Sequence, residues 1–310
     1  MIARSMVGRT RSLGPGLLAH VVGVVVIGAL ALGSAGCVSN NEGLVPVVSG
    51  VELQEVASIA AQVPSEIAAS GRLVVGVNIP YAPNEFKDEN GKIVGFDVDL
   101  LNAVGQVLGL SVDYKQADFD KIIPAVQAGT FNLGMSSFTD TLEREKSVDF
   151  VTYYSAGVQW AQRPGDPIDP NNACGLRVGV QTTTIEDIDE VPAKSAACVA
   201  AGKPPIEKIK YDSQDDAANA LILGRIDALS ADSPVTAYAI KRSGGRIEPA
   251  GEVFDSAPYG WVVAKGSPLA PVLQQGMQYL IDGGQYARIA DAWGVGAGLI
   301  ETSLINGATT

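Results

Sequence analysis

Histidine is almost absent from this sequence, since His20 is the only one among 310 residues. His20 lies in a segment that we expect to be removed, so the mature chain would contain no histidine. That excludes Ser-His-Asp and Cys-His catalysis and any histidine-ligated zinc site.

Basic residues are also few: 22 Lys and Arg stand against 34 Asp and Glu, and the formal net charge is −12. Phosphate contacts need a basic surface, so we expect no nucleic-acid partner. The chain has no Gly-x-Ser-x-Gly, no Ser-x-x-Lys, no phosphate-binding glycine-rich loop and no metal-ligand cluster. We therefore expect no cofactor, no metal and no enzymatic activity. The chain has 310 residues, of which 46% are apolar, and it is long enough for two folded domains or one large one.

No apolar run reaches the roughly 20 residues of a membrane-spanning helix. One run extends from Leu17 to Leu32, follows Arg4, Arg9 and Arg11, and is followed by small residues. A basic stretch, an apolar stretch and small residues are typical of an export signal. We favour such a signal, at residues 1–36, over a transmembrane anchor.

Cys37 ends a stretch, Ser34-Ala35-Gly36-Cys37, that resembles a bacterial lipoprotein cleavage box. The resemblance implies that Cys37 becomes the lipidated first residue of the mature protein, although Ser34 stands where that family prefers Leu. We expect residues 37–71 to form a lipid-anchored tether with a short amphipathic helix within 51–69. The protein would then be exported and held at the outer face of the cytoplasmic membrane.

Two further cysteines, Cys174 and Cys198, would face an oxidising compartment after export. An even pair in that setting is more often a disulfide than a metal site or a nucleophile. We predict a structural disulfide.

The rest of the chain alternates strands and helices, which predicts an α/β fold with parallel sheets. The first unit has strands at 72–78, 111–116 and 132–135, and helices at 94–108 and 121–128. The second has strands at 176–180, 206–211 and 226–229, and helices starting near 183, 217 and 233, the first with Thr183 and Glu186 spaced as a capping box.

A polar residue leaves the end of a strand in both units. Ser137 lies eight positions after Gly129, and Asp232 lies eight positions after Gly224. Open α/β sheets bind ligands outside the carboxyl ends of their strands. If the two units face each other, the cleft between them has a hydroxyl wall and a carboxylate wall.

Arg144 ends a hydroxyl-rich segment that begins at Ser136. An arginine fork can bind a carboxylate bidentately, and Asp140 and Glu143 are spaced to cap a helix that starts there. Taken alone, such an arginine is more often a solvated charge.

Several motifs occur in an order that resembles one family. They are Gly95–Leu100, Asp118–Gly129, Ser136–Arg144 and Val148–Phe150. The stretch from Leu73 to Gly294 resembles the solute-binding proteins of bacterial polar-amino-acid ABC transporters, extracellular solute-binding family 3. The resemblance implies a two-lobe periplasmic-binding-protein type II fold, each lobe a mostly parallel sheet flanked by helices. Lobe 1 would comprise 72–156 plus 258–310, and lobe 2 would comprise 157–257.

The resemblance also implies roles for single residues. Arg144 would clamp the α-carboxylate of an amino acid, with support from Thr139. Ser137 would touch the α-ammonium group. Thr184, or Thr183 as a fallback, would bind the carboxylate from lobe 2, in a loop that lacks the glycine of the family.

Asp232 would hold the α-ammonium group, although it could instead simply cap the helix that follows. Tyr81 and Phe119 would be aromatic walls, with ordinary packing as the alternative. Asn78 is uncharged where family members that bind cationic side chains often carry an acid. This argues against arginine or lysine and favours a polar neutral or acidic amino acid.

We therefore expect a monomeric binding protein that delivers an amino acid to an ABC permease and its ATPase. One alternative is an exported prephenate-type dehydratase on the same fold, which would use an acid for proton transfer. Another is a ligand sensor, which would need a separate membrane signalling partner.

Overall fold

The computed structural model describes residues 45–46, 53–165 and 167–309. All of them lie in one compact unit, Leu44–Thr310. The expected export signal, Cys37 and most of the expected tether lie outside the described residues. None of the helices in the described part is long and apolar enough to cross a membrane.

Ten strands and ten α-helices make up the described fold. The strands are β1 (Arg72–Val77), β2 (Phe86–Lys87), β3 (Ile93–Val94), β4 (Ser111–Gln116), β5 (Leu133–Gly134), β6 (Val148–Gln162), β7 (Arg177–Gln181), β8 (Glu207–Tyr211), β9 (Ala228–Asp232) and β10 (Glu248–Ala264). The helices are α1 (Ala57–Ala60), α2 (Ser65–Ser70), α3 (Phe96–Val107), α4 (Phe119–Gln127), α5 (Leu142–Glu145), α6 (Val191–Ala200), α7 (Gln214–Ile222), α8 (Ser233–Ser243), α9 (Ala270–Asp282) and α10 (Gln285–Trp293).

One sheet of eight strands runs through the molecule in the order β4-β1-β5-β10-β6-β9-β7-β8. β1 pairs in parallel with β4 and β5, and β7 pairs in parallel with β8 and β9. The long strands β6 and β10 pair antiparallel between these two groups. The predicted two-lobe α/β fold, with a mostly parallel sheet in each lobe, is therefore confirmed, and β6 and β10 are the strands that cross between the lobes.

The apolar cores of the two lobes are separate. The largest cluster takes its buried residues from 59–156 and 259–295, whereas two others take theirs from 158–250. A fourth cluster lies in the first lobe around Phe150. This division supports the predicted lobe boundaries at 156/157 and 257/258, which remain a proposal. We call the parts the first lobe and the second lobe.

The N-terminal helix expected within 51–69 is wrong as a single element. The structure has two short helices, α1 and α2, with Pro64 at the N-cap of the second. A residue before proline is pushed out of the helical region, so helix α1 cannot continue through Val63.

The disulfide is present as predicted. Cys174 precedes β7 and Cys198 lies in α6, and the structure joins them with their Cα atoms 5.5 Å apart. The bridge ties α6 to the segment before β7, and both lie in the second lobe.

Candidate functional site

A narrow cavity lies between the two lobes, and residues of both lobes line it. The first-lobe wall consists of Asn78, Tyr81, Phe119, Ser136, Ser137, Thr139 and Arg144, and the second-lobe wall of Gln181, Thr184, Ile185, Glu186 and Asp232. All eight residues predicted to bind the ligand line this cavity.

Arg144 is held by main-chain oxygens from both lobes. Its guanidinium donates to the Thr139 carbonyl at 2.8 Å and, across the cleft, to the Thr183 carbonyl at 3.2 Å. A guanidinium has five N–H donors, so three remain for a ligand. Burial lowers the pKa of Arg144, but arginine stays charged in proteins. The cavity therefore contains a preorganised cation.

The helix that carries Arg144 is capped differently from the prediction. Thr141, not Asp140, is its N-cap, since the Thr141 hydroxyl accepts from the Arg144 N–H at 3.2 Å. The Asp140 carboxylate instead accepts from the Gly307 N–H at 2.7 Å. The C-terminal tail, in which the sequence has no recognisable motif, thus stabilises the loop before Arg144.

Asp232 ends β9 and precedes α8 on the opposite wall. It occupies the N-cap position of α8 but its side chain makes no capping hydrogen bond. The Tyr81 hydroxyl donates to it at 2.5 Å from the first lobe. The pKa of Asp232 is raised well above its usual value, mainly by burial and secondly by the negative charge of Glu186. The simple capping alternative is therefore not what the structure has.

The loop after β7 also differs from the predicted capping box. Thr183 has a φ of +65°, the conformation that glycine adopts most readily. The loop therefore keeps the bend of a glycine loop without the glycine. Thr184 caps the next turn, because its hydroxyl accepts from the Asp187 N–H at 3.4 Å and donates to the Gln181 carbonyl at 2.9 Å.

Glu186 is a wall residue that sequence reasoning missed. It opens a π-helical turn, Glu186–Glu190, that leads into α6, and such turns are frequent at functional sites. The side chain is only 2% exposed, and its Oε1 has no hydrogen-bond partner within the described chain. Burial raises the pKa of this carboxyl. The capping-box pattern predicted a helix start here but not a carboxyl in the cavity.

Asn78 links the lobes instead of standing free in the cavity. Its Oδ1 accepts from the Gln181 amide across the cleft at 2.9 Å, and its Nδ2 donates to the Ala117 carbonyl at 3.0 Å. Both ends of the Asn78 amide are therefore occupied by protein groups, and Gln181 is a second wall residue that was not predicted.

Ser137 lies in the first-lobe wall with a φ of +52°. Its hydroxyl donates to Asp97 at 3.2 Å and accepts from Asn84 at 2.7 Å. The side chain is thus engaged behind the wall, and contact with a ligand ammonium group would fall to the main chain of Ser137. Ser136, which lines the cavity beside it, was not predicted.

The two aromatic residues behave differently. Tyr81 is 5% exposed and directs its hydroxyl to Asp232. Phe119, at the start of α4, stacks on Phe138 with ring centroids 4.4 Å apart. Phe119 therefore both lines the cavity and packs within the first lobe. The sequence alone presents these two roles as alternatives.

Comparisons with known proteins agree with this geometry. The model of the bacterial extracellular solute-binding proteins, family 3, matches residues 73–296. The arginine-binding protein ArgT of Corynebacterium glutamicum is 46% identical over 292 residues, which cover 93% of this chain and 95% of that protein.

Solved structures share the fold. An ancestral arginine-binding protein bound to arginine has a TM-score of 0.66 and 34% identity, over 72% of this chain and 98% of its own. The ancestral amino acid-binding protein AncCDT-1, described as a precursor of cyclohexadienyl dehydratase, has a TM-score of 0.63 and 31% identity, over 74% and 97%. These relatives are named for binding amino acids.

Proposed function

We propose, since this chain belongs to the bacterial extracellular solute-binding proteins, family 3, that it captures a cationic amino acid, with arginine first, for an ABC importer. Members of this family work outside the cytoplasm. The partners would be a permease and its ATPase, and the protein would act as a monomer.

The charge of the cavity wall carries this proposal. The charged side chains of the wall are one cation, Arg144, and two carboxyls, Asp232 and Glu186. A zwitterion is costly to bury unless each charge meets its opposite. Arg144 and Asp232 match the two charges that all amino acids share. Glu186, whose charge also acts on Arg144, leaves the wall with one net negative charge, which suits a ligand with a second positive charge.

The same argument revises the expectation of a polar neutral or acidic ligand. That expectation rested on the missing acid at Asn78, whereas the wall obtains its additional carboxyl from Glu186. An acidic side chain would face a carboxyl that already lacks a partner at Oε1. The names of the arginine-binding relatives point in the same direction.

Each wall residue then has a defined role. Arg144 binds the α-carboxylate with its three remaining N–H donors, assisted by the Thr139 hydroxyl and by the loop at Thr184. Asp232 binds the α-ammonium group, and Tyr81 and Phe119 enclose the apolar part of the ligand. Glu186 accepts hydrogen bonds from the guanidinium group of the bound arginine.

Closure would follow from the division of charge between the lobes. Among the described residues, three hydrogen bonds already cross the cleft: Arg144 to the Thr183 carbonyl, Tyr81 to Asp232, and Gln181 to Asn78. A ligand can shift an opening equilibrium only by its differential affinity. A bridging amino acid meets both of its charges only in the closed form, so its binding favours closure.

Lipid attachment at Cys37 completes the proposal. The cleavage-box resemblance supports it, and residues 37–52 would then connect the anchor to the folded unit. Mass spectrometry of protein from a membrane fraction would detect the lipidated cysteine, and a Cys37→Ala variant is expected to be released from the membrane.

Thermal unfolding of a fragment that begins at Val38 tests the ligand class. Each of the twenty amino acids is added, together with ornithine, citrulline and prephenate. A ligand at a hundred times its Kd adds about 2.7 kcal/mol, which raises the Tm by several degrees in a protein of this size. We expect the largest shift with arginine. A shift with glutamate or serine but not with arginine would contradict the proposal.

The dehydratase alternative is tested with the same fragment. The buried carboxyls Asp232 and Glu186 are chemically able to move a proton, so prephenate is incubated with the protein and the solution is searched for an aromatic product. We expect none, because the relatives that match this chain over most of their length are named as binding proteins.

A further inference from the structure

A pair of carboxyls is buried behind the first-lobe wall. Glu85 lies in the loop after β1 and Asp97 in the first turn of α3, and both side chains are 0% exposed. The loop and the helix fit closely. The Asp97 N–H donates to the Asn84 carbonyl at 3.0 Å, and a Cβ on Gly95 would lie 2.0 Å from that oxygen. The sequence therefore fixes the two acids against each other.

Each acid of the pair holds one serine of the cavity wall. The Ser136 hydroxyl donates to Glu85 Oε1 at 2.8 Å. The Ser137 N–H and hydroxyl both donate to Asp97 Oδ2, at 3.3 and 3.2 Å, and the Tyr153 hydroxyl donates to the same oxygen. Ser137 has a positive φ, which a residue other than glycine keeps only when its surroundings hold it.

The remaining oxygens of the pair indicate where its proton lies. Glu85 Oε2 and Asp97 Oδ1 have no hydrogen-bond partner in the described chain, and the two carboxyls are close enough for the charge of Asp97 to raise the pKa of Glu85. No lysine or arginine of the described residues forms an ion pair with either acid. Two carboxylates this close and this buried cannot both be ionised.

The donors decide which acid keeps the proton. Burial raises the pKa of Asp97 only to about 6, because hydrogen bonds from Tyr153 and Ser137 favour its charged form. Burial and the neighbouring Asp97 raise the pKa of Glu85 well above its usual value. Asp97 accepts three hydrogen bonds and Glu85 accepts one, so Glu85 is the member that holds the proton. Further titratable groups that act on the pair are Tyr81, Tyr114, Tyr153, Tyr154, Tyr286 and Asp232.

We propose that Glu85 and Asp97 share one proton as a hydrogen-bonded acid pair and that this pair positions Ser136 and Ser137 for ligand binding. Neither acid lines the cavity, so both act as positioning residues. Loss of the proton would set two negative charges against each other and release the wall segment. Addition of a second proton would remove the charge that Ser137 and Tyr153 donate to.

Two substitutions at one position test the proposal. In Glu85→Gln the amide N–H can donate to Asp97 as the proton does, and the amide oxygen can accept from Ser136. Glu85→Met keeps a similar volume without these bonds. By isothermal titration with arginine we expect Glu85→Gln to bind nearly as wild type, and Glu85→Met to bind about tenfold more weakly. Exposed Glu89→Gln is the control, and thermal unfolding confirms that each variant folds.

An infrared readout does not depend on the ligand. Other buried carboxyls with raised pKa values, such as Asp232, absorb in the same region, so the spectra are compared as differences. From wild type to Glu85→Gln the protonated-carboxyl band at neutral pH should decrease, and in Glu89→Gln it should stay unchanged. The affinity test rests on the proposed binding of arginine, so a wild type that does not bind arginine would contradict that function while the infrared test still decides the pair. Equal arginine affinities of the Gln and Met variants, or an unchanged band in Glu85→Gln, would overturn the proposal.

Discussion

The two walls of the cavity are built alike but charged oppositely. Each wall has a charged residue in a short helical turn that comes after a strand of a parallel group. Arg144 lies in α5, after β5, and Glu186 lies in the π-helical turn after β7. The charged side chain of the first-lobe wall is a cation, whereas the second-lobe wall has the two carboxyls Asp232 and Glu186. One architecture, used twice, thus gives two surfaces that neither lobe could provide alone.

This difference divides the proposed specificity between the two lobes. In our proposal, the cation on the first lobe recognises the carboxylate that all amino acids have. The second lobe contributes the match to the ammonium group and, in our proposal, to the side chain. Changes on the first-lobe wall should therefore weaken all ligands together, whereas changes on the second-lobe wall should discriminate among them.

Removal of the positive charge from the first-lobe wall should have the largest effect. Arg144→Ala leaves a buried ligand carboxylate without its charged partner, a loss that costs about 2–5 kcal/mol in buried pairs. We expect arginine affinity to fall at least about 30-fold, with other amino acids weakened to the same extent. Isothermal titration measures this, and exposed Arg288→Ala is the control. Retained affinity would contradict the carboxylate clamp.

Removal of one negative charge from the second-lobe wall should have the next largest effect. Asp232→Asn weakens the contact to the ammonium group, and hydrogen bonds to charged groups contribute about 1.5–3 kcal/mol. We expect arginine to bind about 10- to 100-fold more weakly. A des-amino analogue of arginine should lose much less. Equal losses for both ligands would show that Asp232 does not bind the ammonium group.

Acid should weaken arginine binding in a way that depends on the second-lobe wall. The raised pKa values of Asp232 and Glu186 mean that protons occupy these carboxyls more readily in the empty cavity. A cationic ligand must displace those protons, so affinity falls as pH falls through the raised values, by up to about tenfold per pH unit for each proton displaced. Titration in buffers of different ionisation enthalpy counts the released protons. Glu186→Gln should release fewer, and an unchanged count would contradict this coupling.

The disulfide should separate stability from affinity. Cys174 and Cys198 close a loop with a sequence separation of 24 in the second lobe, and such a loop contributes about 3 kcal/mol. We expect a Cys174→Ser and Cys198→Ser double variant to unfold roughly 5–10 °C earlier while its arginine affinity is nearly unchanged. A large loss of affinity would mean that the bridge also shapes the second-lobe wall.

Much of the fold follows from local patterns in the chain. Short apolar runs, typical of strands, alternate along the chain with segments of helical periodicity. This alternation predicts the parallel groups around β1 and β7, because both patterns can be recognised within a short stretch of sequence. Arg144, in the helix that follows β5, and Asp232, at the end of β9, are brought together by the topology that the family motifs imply. The first half of β10 is polar and partly exposed, so its pattern gives no such signal.

The remainder of the site depends on contacts that are distant in sequence. Glu186 faces the cavity only because Thr183 adopts a positive φ and the next turn is π-helical. Asn78 is paired by Gln181 from the other lobe, and Gly307 reaches Asp140 from the far end of the chain. No local pattern encodes these pairings, so the sequence gives no sign that both ends of the Asn78 amide are occupied by protein groups.

Arginine and citrulline compared on one variant test the central claim most directly. Citrulline has nearly the shape of arginine without the side-chain charge. We predict that wild type prefers arginine by at least about tenfold in Kd, and that Glu186→Gln loses most of this preference while the exposed control Glu252→Gln keeps it. A preference that survives in Glu186→Gln, or a wild type that binds citrulline as tightly as arginine, would contradict the account.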